Sequence, residues 1–265
     1  MKPNRQQTGF TLLEIIAVIS IMAILTATIA PSLVREIDRA NADAESSSLQ
    51  EIAAGLVDYS SRERRIPSGN PNDWAAAVAE QLAMPEAQLR NNRRGFRRRL
   101  IFDPLFMTAT PTNFSGYLQT TGLTSPPVQP RALLISDLRA NVPNLPNNAV
   151  EFERVWNEDP SARILPDEFT KIERISFRNL FQRVLLTNQR TEMPAYSLDA
   201  GAAVTVPAAA AGTDGLVSIF ALRGTELRLF ASPFPAGNLH TAFLVNADTS
   251  RRYQTDGFSW TWEEP

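Results

Sequence analysis

From Phe10 to Val34 the chain runs 25 residues built almost wholly of Ile, Leu, Ala, Val, Met, Thr and Ser, with Glu14 as the one charge among them. A helix of that length reaches roughly 37 Å, enough to cross a hydrocarbon core of about 30 Å with some tilt. Lys2 and Arg5 precede the run and Arg35 is the next basic residue. The excess of positive charge ahead of the span therefore predicts a cytoplasmic N-terminus, with everything beyond Arg35 outside. An ordinary secretory signal would have a shorter apolar core and a small-x-small cleavage site after it, and no such site is obvious here. An ordinary anchor gains nothing from Glu14, since a carboxylate costs about 2.5–3.5 kcal/mol at the centre of a span and less towards its end.

What precedes Glu14 gives that carboxylate a context. The basic leader Met1-Lys-Pro-Asn-Arg-Gln-Gln-Thr-Gly9 runs straight into Phe10-Thr-Leu-Leu-Glu14. A small residue, then Phe, then a carboxylate five residues into the apolar stretch resembles the class III signal of type IV pilins and type II secretion pseudopilins. The resemblance implies cleavage between Gly9 and Phe10, where a residue without a side chain lets a peptidase approach the backbone. It implies N-methylation of Phe10 by the same membrane peptidase. It also implies that Glu14 pairs with the N-terminal amine of a neighbouring subunit. Such a pair offsets part of the desolvation cost in a dry filament core and fixes axial register. Pro31 removes one helical hydrogen bond and crowds the carbonyl of Ala27. On residues alone it is a tolerated membrane-helix kink; the resemblance adds a bend, or a stretch that melts on assembly.

The rest divides by pattern. The leader is 1–9, the membrane and assembly helix 10–34, its amphipathic continuation 35–66, and an exported globular domain 67–265. In the continuation, Val34, Ile37, Ala40, Ala44, Leu49, Ile52, Leu56 and Tyr59 recur at helical spacing among charged residues. Ile66-Pro67-Ser68-Gly69 ends the helix. Asn72-Asp73-Trp74 is expected to cap a second helix reaching Met84. Strands are expected over 132–136, 149–156, 171–178, 183–187, 196–206, 216–222, 226–231, 241–245 and 258–262. Arg223-Gly224-Thr225 reads as a three-residue hairpin loop. A long helix first and strands afterwards gives an α+β fold, pilin-like, with an antiparallel sheet against the helix.

Composition excludes several chemistries. The chain has no cysteine, so disulfides and thiolate metal sites are out, and 26 basic against 28 acidic residues give no overall drive towards nucleic acid. Many type IV pilins carry a disulfide-closed loop, so the missing cysteines lean towards a pseudopilin. The single histidine, His240, sits in an apparent loop, and no nucleophile, phosphate-loop or metal motif occurs. Asp199, Asp214, Asp248 and Asp256 are scattered; calcium binding by the major pseudopilins does not transfer through their spacing. No cofactor, metal or enzymatic activity is expected.

Six arginines fall within Arg90–Arg99. Arg93, Arg94, Arg97, Arg98 and Arg99 are candidates for docking an acidic partner, DNA or anionic headgroups, set against a plain solvated loop. Phe96 alone could stack on a base, which is thin for single-strand binding.

Together these features predict a pseudopilin of a type II secretion system, single-pass in a bacterial inner membrane with a periplasmic domain, assembling into a filament that drives protein export. Its partners would be the prepilin peptidase/N-methyltransferase, other pseudopilins, and an inner-membrane platform with its ATPase. Two readings stay open beside it: a minor pilin of a type IV pilus or DNA-uptake system, and an uncleaved membrane-anchored periplasmic binding module.

Overall fold

A computed structural model describes residues 12–109, 117–118, 122–142, 146–157, 169–199, 201–231, 239–255 and 260–264. The chain divides between Ala44 and Glu45 into two compact units. Helix α1, Leu12–Glu63, runs through Pro31 and across that boundary.

In the first unit α1 is long and apolar enough to cross a membrane. Its large side chains point outward, among them Leu12, Ile19, Met22 and Ile24. The hydroxyls in this stretch are satisfied internally: Ser20 donates to the Ile16 carbonyl (2.8 Å), Thr26 to Met22 (2.8 Å), Thr28 to Leu25 (2.9 Å) and Ser32 to Ile29 (2.7 Å). Back-bonded hydroxyls add little polarity to a lipid-facing surface, which is how Ser and Thr are accommodated in such helices. Val34 and Ile37 head the expected apolar stripe, yet both are exposed.

In the second unit the stripe is used. Leu49, Ile52 and Leu56 are at most 2% exposed. Each such burial stabilises by about 1.5–3 kcal/mol. They pack with Trp74, Val78, Phe102 and Phe177 in the larger of the buried clusters. α1 ends where Arg64 turns left-handed at φ 51°. The Arg64 guanidinium reaches Asp199 Oδ1 at 2.8 Å, and Asp199 is itself left-handed at φ 48°. After β1 (Arg65–Ile66) comes α2, Pro71–Leu82. Its cap is Asn70, whose side chain accepts from the Asn72 amide at 3.0 Å, with Pro71 at the first position. That is ahead of the expected Asn72-Asp73-Trp74, where the Asp73 carboxylate instead accepts from the Ser68 amide and pairs with Arg65. α3 is Glu86–Arg90.

Next in the chain lie β2 (Arg99–Phe102), α4 (Pro104–Ala109), β3 (Tyr117–Leu118), β4 (Arg131–Asp137), α5 (Ala149–Asn157) and β5 (Thr170–Ser176). β3 pairs with β1, while β2-β4-β5 form an antiparallel sheet. The strand expected over 149–156 is α5 instead. Asn148 caps it, its Oδ1 accepting from the Glu151 amide (2.9 Å), while Glu151 Oε2 accepts from the amide of the preceding Asn147 (3.2 Å). Phe152 and Val155, three apart, supply the buried side of the helix.

The remaining strands are β6 (Phe181–Asn188), β7 (Ala195–Leu198), β8 (Val204–Thr205), β9 (Gly215–Leu222), β10 (Thr225–Phe230), β11 (Leu239–Val245), β12 (Thr249–Thr255) and β13 (Trp260–Glu263). They form two four-stranded sheets, β13-β12-β6-β9 and β11-β10-β7-β8. Among the described residues all pairings are antiparallel except β6 with β12, and the sheet β2-β4-β5 that shares a core cluster with α1 is antiparallel as expected. Val184, Leu186 and Ile219 of the first sheet share a buried cluster with Leu198, Leu227 and Leu229 of the second.

β9 and β10 are not the hairpin that their loop suggested. β9 pairs along its whole length with β6, and β10 with β7 and β11. The turn divides its hydrogen bonds: the Arg223 amide donates to the carbonyl of Leu180, just ahead of β6 (2.6 Å), and that of Gly224 to Val245 O at the end of β11 (2.9 Å). Gly224 holds φ +84°, a value that favours glycine.

Candidate functional site

The proposed processing residues Gly9 and Phe10, with Lys2 and Arg5, lie outside the described residues. Glu14 lies near the start of the described part of α1. Its side chain is exposed, as is the whole surface of α1 around it. Pro31 does not interrupt the helix.

The arginine run is divided by its environment. After α3 the backbone makes a tight turn, bridged between Asn91 and Arg97. Asn92 organises it from within, because its Oδ1 accepts from the amides of Arg94 and Phe96, each at 3.0 Å. Its Nδ2 donates to Ser136 Oγ (3.1 Å) and the Asp137 carbonyl (2.7 Å), fastening the turn to the end of β4. Arg98 is buried, which removes it from the docking candidates. It grips Glu45 with two bonds of 2.6 and 2.8 Å and donates to the carbonyls of Gln88 (2.6 Å) and Leu89 (3.0 Å). Four charge-assisted bonds at one guanidinium are what a buried charge requires. Arg99 is half-buried on β2, and Arg94 reaches the Leu138 carbonyl at 3.3 Å. Arg93 and Arg97 stand exposed. Sequence reasoning missed Glu45, and nothing local marks it: its partner lies 53 residues away.

Other charged groups serve the fold. Arg131 donates to Asp103 at 2.8 Å, pairs with Glu153, and lies 4.7 Å from the centre of the Trp156 ring. The Arg131 hydrogen bond, with one from Asn157, holds the Glu153 carboxyl below its usual range. Burial raises Glu173, against a smaller opposing pull from Arg174, and burial also raises Tyr196. His240 is on β11 rather than in a loop, and exposed. Asp199 accepts from the Glu226 amide, Asp248 from that of Arg183 and Asp214 from Gln189, in separate places; Asp256 lies outside the described residues. Among the described residues no three His, Asp or Glu side chains converge on a metal position.

A membrane-length helix that passes into a globular unit and packs there against β-sheet is the layout of a pilin-like subunit. Residues 4–30 match the family described as the prokaryotic N-terminal methylation motif. The type II secretion system core protein G of Pseudomonas aeruginosa is 32% identical over 101 residues, 38% of this chain and 70% of that protein. Its counterpart in Escherichia coli is 28% identical over 104 residues, 39% of this chain and 70% of that protein. No solved structure matches the chain. The chain belongs to the type II secretion pseudopilins of the type IV pilin-like family.

Proposed function

We propose that this chain is made as a precursor, cut between Gly9 and Phe10, N-methylated at Phe10, held in the inner membrane by α1 with its second unit in the periplasm, and drawn into a filament that drives protein export. The observation that carries this is the match over 4–30 to the methylation motif, a stretch that includes Glu14 and the first part of a membrane-length helix. The prepilin peptidase, an inner-membrane platform, its ATPase and other pseudopilins are the partners such a cycle requires. The chemistry is done to this protein rather than by it; no catalytic role is proposed for any of its residues. Burial of Arg98 shrinks the basic surface on which a DNA-uptake reading would depend.

Mass spectrometry of the N-terminus tests the reading directly. A chain that starts at methylated Phe10 supports it. Retention of Met1 and Lys2 in cells with an active prepilin peptidase would favour the uncleaved anchor instead.

A further inference from the structure

Within the second unit the exposed side of α1 is acidic and small. Between Arg39 and Arg62 the helix carries no basic residue. Ser47, Glu51, Ala54 and Asp58 follow at spacings of four, three and four, which sets them on one helical face, and all four are exposed. Leu49, Ile52 and Leu56 hold the opposite side in the core. Among the described residues no ion pair or hydrogen bond engages the carboxylate of Glu51 or Asp58. Seven residues of helix set the two about 10 Å apart.

The outer face of the sheet β13-β12-β6-β9 has the opposite charge. Val184 and Leu186 of β6 point into a buried cluster, so Arg183, Leu185 and Thr187 stand on the other side. The register sets Ser218 of β9 and Ser250 of β12 on either flank of Leu185, and Arg252 beside Thr187. Arg183 Nε donates to Ser218 Oγ at 3.2 Å, and Arg252 Nε is shut from water with no acceptor among the described residues. The neighbouring acids are already engaged: Asp248 Oδ1 accepts from the Arg183 amide (2.8 Å), and Glu263 from Gln254 (2.5 Å) and Thr261 (3.0 Å). Arg183 and Arg252 are four residues apart along the strands, roughly 13 Å, a difference from the carboxylate spacing that long guanidinium arms take up.

We propose that these two surfaces bind each other between copies of this chain. The Ser47–Asp58 face of α1 in one copy lies across β6 and β12 of the next, Glu51 and Asp58 pairing with Arg183 and Arg252 while Ala54 sits on Leu185. A small side chain at the centre lets the helix come close to the sheet. Exposed ion pairs are individually weak, so matched spacing rather than strength selects the partner. Because the two faces differ, the contact is head-to-tail: each copy keeps one face free, and the contact propagates instead of stopping at two. It rests on the filament reading above and names the surfaces that neighbouring second units use.

The test uses the full chain in detergent micelles. The chain lacks cysteine, so Ala54→Cys in one preparation and Leu185→Cys in another place single thiols at the centres of the two faces. Mild oxidation of the mixture should give at least about fivefold more disulfide-linked dimer than either preparation alone, and about 0.5 M salt should remove the excess. Adding Glu51→Arg and Asp58→Arg to the first chain should abolish the cross-link. Adding Arg183→Glu and Arg252→Glu to the second should then restore it, with melting temperatures close to those of the parents. If the reversed chains melt early, Glu51→Gln/Asp58→Asn and Arg183→Gln/Arg252→Gln must each weaken the cross-link. Linkage within one preparation equal to that of the mixture, indifference to these substitutions, or failure of the swapped charges to restore it overturns the proposal. Filament recovery is scored separately. Filaments that lack the cross-link sink this contact and leave the filament reading standing; a charge-dependent cross-link without filaments supports the contact and counts against that reading.

Discussion

Glu45 and Arg98 form a two-pronged ion pair of 2.6 and 2.8 Å with both side chains at most 4% exposed. The pair fastens the periphery of the arginine run to the buried part of α1. Breaking it leaves one charge buried and uncompensated, which costs about 3–5 kcal/mol. Arg98→Ala and Glu45→Gln should each lower stability by that order in denaturant titrations. Arg93→Ala and Arg97→Ala, at exposed positions, should stay within about 0.5 kcal/mol.

Gly215 lies against the Pro207 carbonyl, and a Cβ built there would sit 1.9 Å from that oxygen. The same oxygen accepts from Asn188 Nδ2 at 2.8 Å, so it has little room to yield. Gly215→Ala should therefore destabilise by more than about 2 kcal/mol, well beyond the ordinary effect of a glycine replacement in a strand. Thermal melts of the two proteins check it.

Two carboxylates should respond to pH with opposite sign. Burial raises Glu173, so the folded state favours its proton; that stability is present below the unfolded carboxylate range and lost as pH rises through the folded value. Glu173→Gln should raise the melting temperature near pH 7 by about 1–2 °C, and the gain should vanish below about pH 4. Glu153 is lowered by Arg131, so its contribution is present above the ordinary carboxylate range and lost as pH falls through the folded value. Glu153→Gln should accordingly cost stability at neutral pH and show a smaller loss on acidification than the parent. Melting curves from pH 3 to pH 8 read both, on the scale of ordinary carboxylate titration.

Glu14→Ala should leave membrane insertion intact, since it removes a charge from an apolar helix. Recovery in sheared filament fractions should fall by an order of magnitude if Glu14 sets register. Normal recovery would show the carboxylate to be dispensable.

The elements that were legible are those whose signal is local. The apolar run, the stripe at Leu49, Ile52 and Leu56, and strands such as β4 and β6 follow from periodicity within a few residues. In α5, Val150, Phe152 and Trp156 show the partial alternation of a strand, while the Asn148 cap of the Glu151 amide decides for a helix. At Gly224 the sequence shows the turn but not the strands it joins. Its backbone geometry is local, but the partners of β9 and β10 are chosen by strands far off in sequence. The pairing of Glu45 with Arg98 is invisible in the sequence for the same reason. In the candidate site, Glu14 and Pro31 stood out as exceptions inside an apolar run, whereas the six arginines looked alike until burial separated them.

The parallel pairing of β6 with β12 brings Val184 opposite Thr249. A chain whose second unit crosses a membrane in sequence order behind a retained N-terminus would present β6 long before its partner emerges. Until residues 249–255 arrive, that edge of the sheet has no neighbour and is open to mispairing. Completion of the second unit would thereby be tied to delivery of nearly the whole chain, so a subunit stalled short of β12 would remain unfinished and be a substrate for proteolysis rather than for assembly.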